Sequence, residues 1–456
     1  MFYHRVFRSI LLLGLCFCVL QSIGQSRVNS PYSRFGIGEV NDRNFFASQN
    51  MGGLGASFID PYGINIVNPA TLASLQATSF DIGIFAENSG FRDLGETDYT
   101  RLWGGNINNL SLAIPLQNKL NDLLDRKKRD LSFATAFTLQ PFSVVGYNIT
   151  TEDTSNEDIG RVIRNFSGNG GTFQFTWSNA VKYKHLSFGA NLTYLFGKLN
   201  FNNQLLFADN LPAFTTATEA SVGVTGFQYN LGVIYDHHFN EKAFKDQEAQ
   251  HLKRVSIGLY GNTTTNFTSE EQQLNIVRQF ELVTADIIST DTIGSSAIQR
   301  FSGVLPSELG FGVTYYYGEK FAIGADFVRN GWSQFNANFV NNPLNSTYRL
   351  SIGGFYRPNY KSITKYFSRV LYRFGVHYEM VPTEDLPANN GKRVTDMGVN
   401  LGFGLPFFYQ RKISHANLGI SAGFLGRGTA IEERYIRATF SFTFNDDEWF
   451  IKRKYN

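Results

Sequence analysis

Few residues in this sequence are spaced for covalent chemistry, and each is better explained without it. Gly419-Ile420-Ser421-Ala422-Gly423 has the Gly-x-Ser-x-Gly spacing of a nucleophile elbow, with His377 and His415 on or beside nearby segments. An elbow needs its serine on a sharp strand-to-helix turn next to a histidine. Here the serine falls inside an alternation that puts Leu418, Ile420, Ala422 and Phe424 on one face. Gly52 to Gly55 suggests a phosphate cradle, but no Lys-Ser/Thr pair follows it. His237, His238 and His251 lack carboxylates at metal-ligand spacing and fall at a connection, where solvated histidines are expected. No enzyme, metal or cofactor is expected. What remains is a set of charges on otherwise polar strand faces: Asp81, Asp326, Arg349, Arg373, Glu379, Asp396 and Arg437. Ions in an enclosed space must be paired or hydrated. They are therefore expected either to form a structural network or to present Arg349 or Arg373 to a ligand carboxylate through bidentate bonds.

The elements that carry these residues alternate with period two from about Ser79 onward. Ile436, Ala438, Phe440, Phe442 and Phe444 share one face, and Arg437, Thr439, Ser441 and Thr443 the other. Met397 to Leu405 and Tyr372 to Met380 repeat the pattern, as do Leu309 to Tyr317 and Phe321 to Phe327. A soluble sandwich turns such an apolar face inward, whereas an outer-membrane barrel turns it to lipid. The long segments, the aromatic clusters at their ends (Tyr315 to Tyr317, Phe407 to Tyr409) and the glycines on the polar face favour the barrel. Fourteen strands are expected, near 79–87, 106–115, 131–145, 171–183, 186–199, 226–238, 254–265, 307–317, 320–333, 347–357, 370–381, 394–406, 416–425 and 434–444. Two connections at one end are very tight, Lys184-His185 and Gly318-Glu319-Lys320, though 116–130, 239–253 and 358–369 at that end are longer than usual, and those at the other end are long, at 88–105, 146–170, 200–225 and 266–306. That parity is a barrel's, with short periplasmic turns. A short basic helix or a solvated turn is expected around 119–129.

Composition agrees. The 456 residues include 43 Phe, 22 Tyr and 43 Gly, and only 17% are charged. That excludes a disordered chain, a coiled coil and a disulfide scaffold. No run of about 20 apolar residues supports helical spans. Residues 1–24 read as a signal peptide, with Arg5 and Arg8 ahead of a short apolar stretch. Both cysteines, Cys16 and Cys18, lie within it, so the mature chain has no thiol. Its removal lowers the net charge of +3 to about +1, which gives no electrostatic case for nucleic acid. Residues 25–77 do not alternate and are expected to fold into the lumen as a hatch, because a free tail has no use for Phe35, Phe45, Phe46, Met51 and Phe58. The barrel is expected over 78–445 and a charged periplasmic tail over 446–456.

Four stretches bring a resemblance. The first is Gly52-Gly53-Leu54-Gly55-Ala56 followed by Asn68-Pro69-Ala70-Thr71-Leu72-Ala73. The others are Leu305-Pro306 before Leu309-Gly310-Phe311-Gly312-Val313, then Ala325-Asp326-Phe327 before Trp332-Ser333-Gln334-Phe335. Last comes Tyr348-Arg349-Leu350-Ser351-Ile352-Gly353 with Tyr372-Arg373-Phe374-Gly375-Val376 and Val381-Pro382. Over most of the chain it resembles the FadL/TodX family of outer-membrane transporters for hydrophobic compounds. The resemblance implies a fourteen-stranded barrel in a Gram-negative outer membrane and an N-terminal hatch containing Gly52, Gly53, Gly55, Asn68, Pro69 and Ala70. It also implies passive uptake of fatty-acid-like molecules through a gap in the wall. In that family the third strand kinks, and Gln140-Pro141-Phe142 is the matching place here, since proline cannot donate to a ladder. The lumen charges Arg349, Arg373, Asp326, Glu379 and Arg437 are then the candidate ligand contacts, and lipid and a hydrophobic small molecule the candidate partners. Thr71, where the family usually has glycine, and the charged tail are features of Bacteroidota-type members. Some of those serve protein secretion, so a partner subunit of an outer-membrane secretion or assembly machine is the alternative.

Overall fold

In a computed structural model, the described residues are 30–93, 99–117, 130–154, 160–207, 214–240, 252–280, 287–362, 364–384, 389, 391–409 and 412–449. The leader expected over 1–24, the helix or turn around 119–129 and most of the charged tail lie outside them.

A two-residue strand, β1 (Glu39–Val40), precedes the wall. The wall runs β2 (Thr78–Asp93), β3 (Thr100–Pro115), β4 (Leu131–Asp153), β5 (Val162–Tyr183), β6 (Leu186–Phe207) and β7 (Phe214–His238). It continues through β8 (Lys253–Asn262), β9 (Thr265–Phe280), β10 (Ile287–Ser295), β11 (Gln299–Leu305), β12 (Glu308–Tyr317) and β13 (Phe321–Asn330). β14 (Thr347–Tyr356), β15 (Leu371–Met380), β16 (Thr395–Tyr409), β17 (Lys412–Leu425) and β18 (Ile431–Asp446) complete it. All pairings are antiparallel, and β18 closes on β2 from Ile431↔Asp93 to Asp446↔Thr78. β8 and β9 form one kinked stave, and β10 to β12 another, so the closed barrel has fourteen staves, the expected number. The alternation sets its sidedness. Ile436, Leu309 and Leu231 are 59%, 57% and 56% exposed on the outer face, whereas Thr439, Ser441 and Thr443 are buried inside.

The wall is uneven in height. β12 to β15 have 10 residues each, close to one tilted crossing. β4 to β7 have 22 to 25 and rise well beyond it. Stretches 146–170, 200–225 and 266–306, expected as connections, are largely ladder. Their many polar residues hide the alternation, although the inner face is buried here at Val222, Val224 and Phe267. The tight turn at Lys184-His185 is as expected, with Lys184 at a φ of 53°.

Candidate functional site

Residues 30–77 fill the lumen. They carry a single helical turn, Phe46–Gln49, and a 3-10 segment, Pro69–Ser74, which Asn68 caps by accepting from the Ala70 N–H at 3.1 Å. Met51, Leu54 and Ala56 are fully buried, and Met51, Leu54, Phe58 and Ile59 pack with Ile234, Tyr316 and Ala322 of the wall. So irregular a backbone survives inside a barrel only if its polar groups find partners. Asp326 accepts from the N–H groups of Gly55 and Ala56 at 2.6 and 2.7 Å. The Tyr316 hydroxyl accepts from the Ile59 N–H at 2.6 Å, Ser256 donates to the Ser57 carbonyl at 2.6 Å, and Asn191 to that of Ile66 at 2.7 Å. Asn68 also donates to the Ala56 carbonyl at 2.6 Å.

The glycines on the inner face of the wall are there for the plug backbone. A Cβ on Gly258 would sit 1.9 Å from the Ala56 carbonyl oxygen, and one on Gly375 2.1 Å from the Gly52 nitrogen. On the plug side, Gly53 has a φ of +90°, and a Cβ there would lie 2.1 Å from Arg349 Nη2.

The five candidate charges separate into three places. Arg349, Glu379 and Asp326 lie together under the plug. Arg349 donates to Asp42 at 2.9 Å and to the Gly52 carbonyl at 3.1 Å, and pairs with Glu379 at 3.6 Å. Arg437 stands apart and donates to Glu87 at 2.5 Å. Beside that pair lies Glu39, in the plug, whose carboxyl burial and the nearby Glu87 push up to about 7. Arg373 lies near the periplasmic end, where it donates to Asn417 at 3.1 Å and stands in the field of Asp60 and Asp81 without a direct ion pair. Asp42, Arg43 paired with Glu308, and Glu39 were missed from sequence. The signal was present, since these acids and this base interrupt a segment otherwise poor in charge.

Ser421 lies inside β17 rather than at a turn, and Asn400 stands between it and His377, bonding each at 2.8 and 3.0 Å. His238 contacts Asp236 at 3.3 Å, and His251 lies outside the described residues.

The most irregular part of the wall is between β3 and β4. Their ladder runs only from Pro115↔Ala134 to Leu110↔Leu139. Immediately above, β4 bulges: Pro141 pairs with Phe173 and Ser143 with Thr172, leaving Phe142 as the extra residue. β3 skips Asn108 in its pairing with β2. The edge of β4 that β3 vacates is taken by the plug, as Glu39↔Val144 and Val40↔Ser143. The Asn41 N–H reaches the Phe142 carbonyl at 2.9 Å, and the Ser30 N–H that of Gly146 at 2.9 Å. Phe142 itself points into an apolar cluster with Tyr32, Phe35 and Ile37 of the plug and Trp332, Phe335 and Leu344 from the connection after β13.

A family model described as BamG matches residues 6–456. The chain belongs to the BamG family. No curated protein matches it in sequence. Among solved structures it is similar to the Pseudomonas putida toluene transporter TodX, with a TM-score of 0.55 and 17% identity over 89% of this chain and 99% of that one. It is similar also to a Pseudomonas aeruginosa FadL homologue (0.54, 12%, 90% and 99%). The Ralstonia pickettii toluene transporter TbuX gives 0.52 and 13%, over 89% and 99%. At these identities the likeness is one of fold, and it is the fold of an outer-membrane barrel.

Proposed function

We infer that this BamG-family barrel admits hydrophobic, fatty-acid-like small molecules passively, with residues 30–77 as hatch and the β3–β4 seam as a lateral opening. The carrying observation is that seam. Above Gln140-Pro141-Phe142 one stave edge is held by two residue pairs from the plug instead of a full ladder. A sheet edge cannot be left bare in hydrocarbon, so the hatch both fills the bore and seals the wall, and its movement opens both. Arg349, Glu379 and Asp326 latch the hatch, with Gly52, Gly53, Gly55, Asn68, Pro69 and Ala70 as its seated backbone. Arg437 supports the Glu39 end. Arg373 makes no direct ion pair among the described residues, with Asp60 and Asp81 only in its wider field, and is the guanidinium offered to a ligand carboxylate. The test is uptake of a labelled long-chain fatty acid by Gram-negative cells that lack their own channel for it. Expression of the full chain should raise uptake severalfold, and deletion of 30–60 should make the cells leak small solutes. Uptake at the level of the empty host would refute the reading.

A second reading rests on the density of bonds between plug and wall together with the BamG match. In it the plug is a fixed core, and the barrel is a partner subunit of an outer-membrane secretion or assembly machine. Purification from outer membranes in mild detergent would then yield a stoichiometric complex of several proteins, with no fatty-acid uptake in the same cells.

A further inference from the structure

A second discontinuity lies elsewhere in the wall, on its outer face. β7 pairs with β8 up to Leu231↔Gly261 and with β9 from Gly226↔Phe267, so residues 227–230, paired with β6 on one side, have no ladder partner on the other, where β8 hands over to β9. At this step the low wall meets the tall hairpin, and a groove of about 670 Å³ crosses the lipid-facing surface. Its lower part is Leu231, Leu259 and Leu309, all exposed outward. Its upper rim, at the end of β13 remote from the tight Gly318 turn, is polar: Arg329, with Ser333 and Ser346, whose hydroxyls lie 2.7 Å apart. Arg329 is exposed and makes no ion pair among the described residues. The one carboxylate on the groove, Glu308, is already taken from inside by Arg43 of the plug. The groove therefore presents one uncompensated cation above an apolar bed.

We propose that this groove is a binding site for a phosphate-bearing membrane lipid of the outer leaflet, acyl chains along Leu231, Leu259 and Leu309 and phosphate on Arg329. The chemistry fits in both parts. A guanidinium matches a phosphate bidentately, and a cation at the headgroup level beside apolar wall selects anionic over neutral lipids. The bound lipid packs against the stave step that the ladder leaves open, and it lies on the far side of β7 from the seam.

The experiment is native mass spectrometry of the full mature protein, delipidated in detergent and given phosphatidylglycerol or a neutral diacylglycerol. One phosphatidylglycerol should be retained in preference to the diacylglycerol. Arg329→Gln should lower that retention about tenfold, the loss of one charge-assisted contact, and Arg329→Lys should restore part of it. The heat-modifiable mobility of each variant shows that the barrel is closed. Equal retention of both lipids, or the same retention in folded Arg329→Gln, would overturn the proposal. Inorganic phosphate alone should not compete at equal concentration; if it does, the apolar bed contributes nothing and the lipid assignment fails.

Discussion

Arg349 joins three parts of the molecule: Asp42 and Gly52 of the plug, and Glu379 on the neighbouring β15. Removing one partner from a buried ionic cluster costs more than the cluster is worth, because the others stay desolvated and unpaired. Arg349→Ala should therefore leave the barrel closed yet make residues 39–56 accessible to protease, and Asp42→Asn added to it should recover part of the protection. Asp326→Ala should act likewise, leaving the Gly55 and Ala56 N–H groups without an acceptor, at about 1–3 kcal/mol each. Glu39 gives the plug a pH dependence. Around its carboxyl stand Glu87 on β2, Asp396 on β16, and Arg437 and Glu433 on β18. Its docked pKa, about 7, lies above its free value, so the docked state favours the protonated acid. Docking is firmest below the free carboxyl range and weakens as pH rises through 7. Protease accessibility of the plug should rise between pH 5 and 8, and Glu39→Gln should flatten that profile.

At the scale of elements, alternation made the membrane strands legible: Leu401 and Val399 face out, Asn400 and Gly402 face in, as the sequence indicates. The upper halves of β4 to β7 and the β9–β11 hairpin were read as loops, because polar residues on both faces, such as Asn200, Asn202, Asn203 and Gln204 of β6, blur the alternation there. Pro141 marked the bulge, since a residue without an N–H cannot continue a ladder. A gap in the wall was expected here, but that β1 would take the vacated edge of β4 was not legible, because β1 is a strand of two residues with no pattern of its own. Deleting Phe142 removes the extra residue and restores register with β5 without turning any later side chain to the other face. β3 and β4 should then pair further upward and displace β1. Fatty-acid uptake should fall to background while the barrel still folds; unchanged uptake would mean that the bulge does not make the opening.

At the scale of the molecule, inner-face glycine is the feature that sequence displayed without explaining. Glycine on the polar face was read as a mark of the barrel, but Gly258 and Gly375 are small for a particular reason, the approach of plug backbone to within contact of the wall. The candidate charges were likewise visible one by one. Their division into a latch at Arg349, a separate pair at Arg437 and an Arg373 outside both was not, because it depends on which staves become neighbours. In the proposed function the plug is a moving part which seals the wall at β4. The direct test is a disulfide between Val40→Cys and Ser143→Cys. These residues are cross-strand partners, whose spacing suits the bond, and the mature chain is expected to have no other thiol. With the staple oxidised, fatty-acid uptake by the cells should drop to that of the empty host, and a reductant should restore it, while each single variant stays active. Uptake that continues at full rate through the oxidised, fully cross-linked barrel would mean that the plug does not move to open the wall.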